Sequence, residues 1–221
     1  MQTEKLNQLA LWDYFESNIE TGSGTNPDVL PLLNADVRLY RAFFNTEDSD
    51  RCFTLLLTQI NWQQETAHLF NQSIPLPRLT AWYGDAGKSY TYSGIEMQPN
   101  PWTEPLLAIK SAVETVANVQ FNSVLLNLYR NGSDSVGWHS DAEPTLGHNP
   151  VIASVSFGAT RRFSFKPKHR KGEKPVHLDL THGSLLLMQG STQHHWLHQV
   201  PKTTKPVGTR INLTFRVVHH P

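Results

Sequence analysis

Residues 121–129 read FNSVLLNLY, and from this stretch to the C-terminus the apolar period of the chain is two. In an extended chain Phe121, Leu125, Asn127 and Tyr129 share one face. The same alternation returns in VIASVSF at 151–157, where Val151, Ala153, Val155 and Phe157 fall together. Further short runs follow as RRFSFK (161–166), PVHLDL (175–180), SLLLMQ (184–189) and RINLTFRVV (210–218), separated by Gly, Pro and Asn turn signals. Many short strands so closely spaced predict a mainly β fold, either a sandwich, a jelly roll or a barrel.

Upstream the period lengthens. TEDSDRCFTLLLTQIN at 46–61 sets Cys52, Leu55, Leu56 and Ile60 at helical spacing behind acidic residues suited to a helix start. After PWTEP at 101–105, Thr103 can cap a second helix whose Leu106, Ile109, Val113 and Val116 recur on one face. Residues 1–29 are polar and close on a Gly, Ser, Asn and Pro cluster, so they read as a flexible arm. A length of 221 residues predicts one structural domain.

Lys plus Arg equals Asp plus Glu at 19 each, which excludes a polybasic tail, so any nucleic-acid contact must come from a local patch. The single cysteine, Cys52, can form neither an internal disulfide nor a thiolate zinc site. The N-terminus lacks the apolar run of a signal peptide, and no stretch of about 20 apolar residues is present. These features predict an intracellular protein with no membrane partner, cytoplasmic in a bacterium and nuclear in a eukaryote.

Eleven histidines make metal chemistry the next question. Gly137-Trp138-His139-Ser140-Asp141 places an imidazole and a carboxylate two residues apart, on one face of an extended chain. One more histidine, from HHWLH at 194–198, would complete two His and a carboxylate, the facial set that leaves open positions on non-haem Fe(II). His177-Leu178-Asp179 has the same spacing and stays in contention, as does a hydrogen-bonded surface turn at His139 and Asp141. In 210–217 the residues Arg210, Asn212, Thr214 and Arg216 share one face and Ile211, Leu213, Phe215 and Val217 the other. The arginine Cα atoms lie roughly 20 Å apart at about 3.3 Å per residue, so their side chains would converge on something between them. A small dicarboxylate meets that requirement, and a solvent-facing strand of paired charges is the other reading.

Together, Asn127-x-Tyr129, His139-x-Asp141, HGSLLLM at 182–188, HWLHQVP at 195–201 and Arg210-INLTF-Arg216 closely resemble the AlkB family of Fe(II)- and 2-oxoglutarate-dependent dealkylases. The likeness is nearest to the animal members that repair duplex and single strands, and it runs upstream through PRLTAWYGDAGKSYTYSG at 77–94. It implies a double-stranded β-helix core with packed helices at 101–221 and an α/β nucleotide-recognition lid at 30–100. It also implies His139, Asp141 and His198 as catalytic iron ligands, which demotes His177 and Asp179. Arg210 and Arg216 would hold the carboxylates of 2-oxoglutarate, with Asn127, Tyr129 and Thr214 donating hydrogen bonds. O2 would be the second cosubstrate.

The 77–94 segment combines Arg78 with Tyr90 and Tyr92, which alternate onto one face and suit a base-stacking platform. Phe70, eight residues before Arg78, stands where the duplex-acting relatives carry an apolar wedge. Glu143 follows the iron-binding pair as in those relatives, but Ala142 replaces an acidic neighbour. The resemblance implies a monomer that oxidatively demethylates 1-methyladenine- or 3-methylcytosine-type bases in DNA or RNA, with substrate contacts from Phe70, Arg78, Tyr90, Tyr92 and Glu143. Two other readings are an oxygenase acting on protein or lipid and a non-catalytic β-sandwich binding module.

Overall fold

In the computed structural model residues 26–69, 72–88, 90–92, 95–170 and 172–219 are described. The described residues open with β1 (Asp28–Val29), β2 (Asp36–Tyr40) and helix α1 (Thr46–Gln59). Next come β3 (Thr66–Leu69), β4 (Gln72–Pro75), β5 (Leu79–Gly84), β6 (Tyr90–Tyr92), β7 (Ile95–Met97) and helix α2 (Glu104–Ala117). The remaining strands are β8 (Ser123–Tyr129), β9 (Val136–His139), β10 (Ile152–Gly158) and β11 (Arg161–Pro167), then β12 (Val176–Leu180), β13 (Ser184–Gln189), β14 (Trp196–Val200) and β15 (Arg210–Arg216), with a short helix α3 (Thr192–His195) before β14.

Both expected helices form. Asn45, one residue before the expected start, caps α1 by accepting from the Asp48 N–H at 2.8 Å. Thr103 occupies the N-cap of α2 without a side-chain cap bond, and Pro105 fits the first turn.

From β8 onward the chain shuttles between two antiparallel sheets. The larger has the order β1-β2-β13-β10-β15-β8-β5 and the smaller β12-β11-β14-β9. This is the double-stranded β-helix, or jelly roll. Apolar residues on one face of the large sheet, such as Val155, Leu187, Leu213 and Phe215, pack with Cys52 and Leu56 of α1 and Leu106 and Val113 of α2. A second cluster joins the sheets to each other through Leu125, Ile152, Phe163, Phe165, Leu186 and Trp196. Alternation along each large-sheet strand therefore sends one set of side chains toward the helices and the other into the barrel.

The stretch expected to be lid is divided by backbone pairing. β2 pairs with β13 and β5 with β8, so both extend the large sheet, and α1 packs on that sheet's outer face. Two hairpins, β3–β4 and β6–β7, stand as separate two-stranded sheets. Phe121 also departs from expectation. It precedes the strand, and instead of following Leu125 into the barrel it packs beside Phe215, with ring centroids 5.9 Å apart, in the cluster under the helices. No helix among the described residues is long and apolar enough to cross a membrane.

Candidate active site

Strand pairing brings the first two histidines together. His139 ends β9, His198 is central in β14, and the two are direct cross-strand partners with ring centroids 4.3 Å apart. Asp141 follows just beyond the end of β9. Its N–H donates to Gln193 Oε1 at 3.0 Å, and its Oδ1 accepts from Arg216 Nη2 at 2.8 Å. Ligand atoms of His139, Asp141 and His198 all lie within 4.8 Å of one another, the one such group among the described residues.

The electrostatics suit a cation. Burial would raise the Asp141 carboxyl, but Arg216, His198 and His139 outweigh it and bring it down to about 2. Burial and then the facing His139 push His198 down to about 3, so its 3.7 Å approach to Asp141 is not an ion pair at neutral pH. Phe163 stacks on the His198 ring at 5.3 Å between centroids and holds it in place. The Nδ1 of His139 lies 2.8 Å from the Gly137 carbonyl. Since a carbonyl only accepts, the proton belongs on Nδ1, and Nε2 is the nitrogen suited to ligation.

Two buried atoms of this group, Asp141 Oδ2 and His198 Nδ1, have no hydrogen-bond partner among the described residues. Leaving such atoms bare costs about 1–3 kcal/mol each, and two imidazoles with one carboxylate form a donor set for Fe(II). The residues present fit a metal ion.

His177 and Asp179 do not. Both are exposed on β12, His177 bonded to Ser164 Oγ at 2.8 Å and Asp179 at 3.9 Å from Arg162. His194 lies apart, with its ring against His148 and its Nε2 on the His148 carbonyl.

Beside the metal group, three strands align polar side chains in rows across the barrel interior. β8 pairs with β15 and β15 with β10, giving Tyr129 opposite Arg210, then Asn127–Asn212–Ser156, then Leu125–Thr214–Ser154. The polar face of β15 is thus interior: Arg210, Asn212, Thr214 and Arg216 are 1%, 7%, 7% and 2% exposed. The alternative of a solvent-facing strand is removed. Arg210 donates from Nη2 to Ser156 Oγ at 2.9 Å and lies over the Tyr129 ring at 5.1 Å. Its Nε and Nη1 are buried without a hydrogen-bond partner among the described residues. A buried guanidinium edge of this kind fits a carboxylate. Asn127, Tyr129, Thr214 and Arg216 line the pocket that also contains His139, Asp141 and His198.

Of the residues expected to touch substrate, one is turned inward. Arg78 is not at the surface; it is 3% exposed and donates from Nε to Asn127 Oδ1 at 2.7 Å. β6 carries Tyr90 and Tyr92 opposite Met97 and Ile95 of β7. Glu143 is half-buried at the start of the turn Pro144–Leu146, and its Oε2 is buried without a hydrogen-bond partner among the described residues. Ala142 is exposed. Phe70 lies outside the described residues.

Sequence reasoning missed Ser154, Ser156, Gln193 and Arg161. The two serines carried a usable signal, because they alternate with Val155 and Phe157 in a strand otherwise apolar. Arg161 carried none. It is buried and donates to the carbonyls of Asn131, Asp134 and Pro201 at 3.1, 2.8 and 2.7 Å, and it lies 5.6 Å from the centre of the Tyr129 ring. Arg161→Ala should lower the unfolding free energy by about 3 kcal/mol, read from the urea midpoint, because one buried and two partly buried carbonyls lose their donor.

A family model described as the 2OG-Fe(II) oxygenase superfamily matches residues 36–216. Among curated proteins the chain is 46% identical over 191 residues to bovine (Bos taurus) alpha-ketoglutarate-dependent dioxygenase alkB homolog 3, covering 83% of this chain and 66% of that protein. It is 39% identical over 188 residues to the human DNA oxidative demethylase ALKBH2, covering 81% and 72% of the two chains. The match spans just under two thirds of the length of the first of these relatives. The solved structure described as "The structure of OsALKBH1" superposes with a TM-score of 0.59 at 18% identity over 86% of this chain and 100% of that one, a likeness of fold.

Proposed function

Because the chain belongs to the 2OG-Fe(II) oxygenase superfamily and, within it, to the AlkB family, we propose that it oxidatively demethylates N-alkylated bases of 1-methyladenine or 3-methylcytosine type in DNA or RNA. The observation that carries this reading is the meeting, in one pocket, of the His139, Asp141 and His198 donors with Asn127, Tyr129, Thr214 and Arg216 from the polar rows.

In this reading His139, Asp141 and His198 hold Fe(II) and leave coordination positions open. Arg210 takes one carboxylate of 2-oxoglutarate on its bare edge, and Arg216, already fixed on Asp141, takes the other. Asn127 and Tyr129 donate to its oxygens, and Thr214 does so by turning its hydroxyl from Asn212 Oδ1, to which it donates at 3.2 Å. When bound, Fe(II) and 2-oxoglutarate supply the oxidation: O2 gives one oxygen to the N-methyl carbon and one to succinate, and CO2 is lost. The hydroxymethylated base then releases formaldehyde and the repaired base. Phe163 and Phe165 line the His198 ring and keep water from that side of the ligand set.

A cationic methylated base is drawn to aromatic faces and to a carboxylate. Tyr90, Tyr92 and Glu143 serve here as base contacts. The protein acts as a monomer inside the cell, in a reducing compartment where the buried Cys52 thiol stays free.

Formaldehyde released from oligonucleotides carrying one defined N-methyl base, single- and double-stranded, is the direct test. Release that requires Fe(II) and 2-oxoglutarate is expected. Succinate formed in the absence of any methylated-base turnover would move the substrate to protein or lipid, and no succinate at all would favour a non-catalytic module. Phe70 is the proposed duplex wedge. Phe70→Ala should slow duplex demethylation by about tenfold, the loss of ~1.4 kcal/mol of stacking, and leave the single-strand rate nearly unchanged. Equal losses on both substrates would remove the wedge role.

A further inference from the structure

Arg78 sits between the β3–β4 hairpin and β5, where its guanidinium enters the protein instead of facing solvent. Besides its bond to Asn127, Nη1 donates to the carbonyl of Ser135 at 3.2 Å. The N–H of Ser135 in turn donates to the carbonyl of Pro77 at 2.8 Å. Pro77 and Arg78 are therefore fastened at two points to the residue that precedes β9, and the guanidinium has a fixed position under Asn127.

That position decides which way the Asn127 amide points. A guanidinium has donors only, so the atom it meets at 2.7 Å is the amide oxygen. The NH2 end is left for the pocket that Asn127 lines. Across the row, Asn212 cannot take over this task, because its own NH2 is committed to Ser154 Oγ and the Val155 carbonyl, both at 2.8 Å. An Asn127 amide free to turn over would present oxygen to an anionic ligand, and two acceptors repel.

We infer that Arg78 is a positioning residue which, by holding the oxygen of Asn127, fixes that side chain as a hydrogen-bond donor to the oxyanionic cosubstrate. The inference rests on the reading of the pocket as a 2-oxoglutarate site. It assigns Arg78 an interior role, distinct from contact with nucleic acid.

A double-mutant cycle separates this role from plain structural support. The dissociation constant of 2-oxoglutarate is measured by calorimetry on the full chain loaded with Mn(II), for the wild type, Arg78→Met, Asn127→Ala and the double variant. Each single variant is expected to bind about tenfold more weakly, and the double variant no more weakly than Asn127→Ala alone. Arg78→Lys keeps one donor and is expected to lose only about threefold, with no loss in the Asn127→Ala background. Should Arg78→Met fail to fold, as judged by thermal unfolding, the Arg78→Lys pair completes the same cycle. Losses that multiply in the double variant, or an Arg78→Met protein that binds as the wild type does, would overturn the inference while leaving the cosubstrate site intact. A wild-type protein that binds Mn(II) but no 2-oxoglutarate would instead overturn the reading of the pocket.

Discussion

Asp141→Asn is expected to abolish metal binding and to reduce turnover by about a thousandfold or more, the largest effect of any single substitution in the site. The carboxylate does two jobs. It contributes one of three ligand atoms, and it neutralises Arg216, which is buried against it at 2.8 Å. Removing one partner of a buried ion pair costs about 3–5 kcal/mol, so the variant should also unfold at lower urea concentration. The pH dependence follows from the sign of the shift. A carboxyl held at about 2 stabilises the apoprotein above the ordinary carboxylate range, and that contribution is lost as pH falls toward 2. Asp141→Asn should flatten this acid limb of the stability curve. Asp179→Asn should be silent in both assays, and metal binding that survives at Asp141 but not at Asp179 would contradict the assignment.

The second large effect is on cosubstrate affinity. Arg210 lies between the Tyr129 ring and Ser156 Oγ, and its Nε and Nη1 are buried without a hydrogen-bond partner among the described residues. Arg210→Met removes both the charge and the planar edge and should weaken 2-oxoglutarate binding by about a hundredfold, while Mn(II) binding to the His–Asp–His group persists. Arg210→Lys retains charge without the fork and should lose about tenfold. Calorimetric titration of Mn(II)-loaded protein measures both. An unchanged dissociation constant in Arg210→Met would place the dicarboxylate elsewhere.

The β architecture is legible in the sequence because alternation is a local property, which β15 shows without interruption and β8 and β10 over most of their length. The environment of each face is not local. Arg210, Asn212, Thr214 and Arg216 alternate with apolar residues just as a solvent-exposed strand would, and only the stacking of a second sheet over β15 turns that face into a barrel interior. Arg78 shows the same limit. A cation beside aromatic residues suggests a nucleic-acid surface, but its partners Asn127 and Ser135 lie 49 and 57 positions away along the chain. His139-x-Asp141 and His177-x-Asp179 are equivalent by spacing. What distinguishes them is topology, since β9 pairs with the strand that carries His198 and β12 displays both its residues on an exposed face.

Succinate and formaldehyde measured together in one reaction test the central claim most directly, with a single-stranded oligonucleotide carrying 1-methyladenine and the wild type compared with His139→Ala. His139 is the variant of choice because it is only half-buried, so its loss removes a ligand without stranding a buried charge. The account predicts that the wild type forms the two products in equal amounts, strictly dependent on Fe(II) and 2-oxoglutarate, and that His139→Ala, still folded, forms neither. Formaldehyde release by His139→Ala at the wild-type rate, or demethylation by the wild type without succinate, would contradict it.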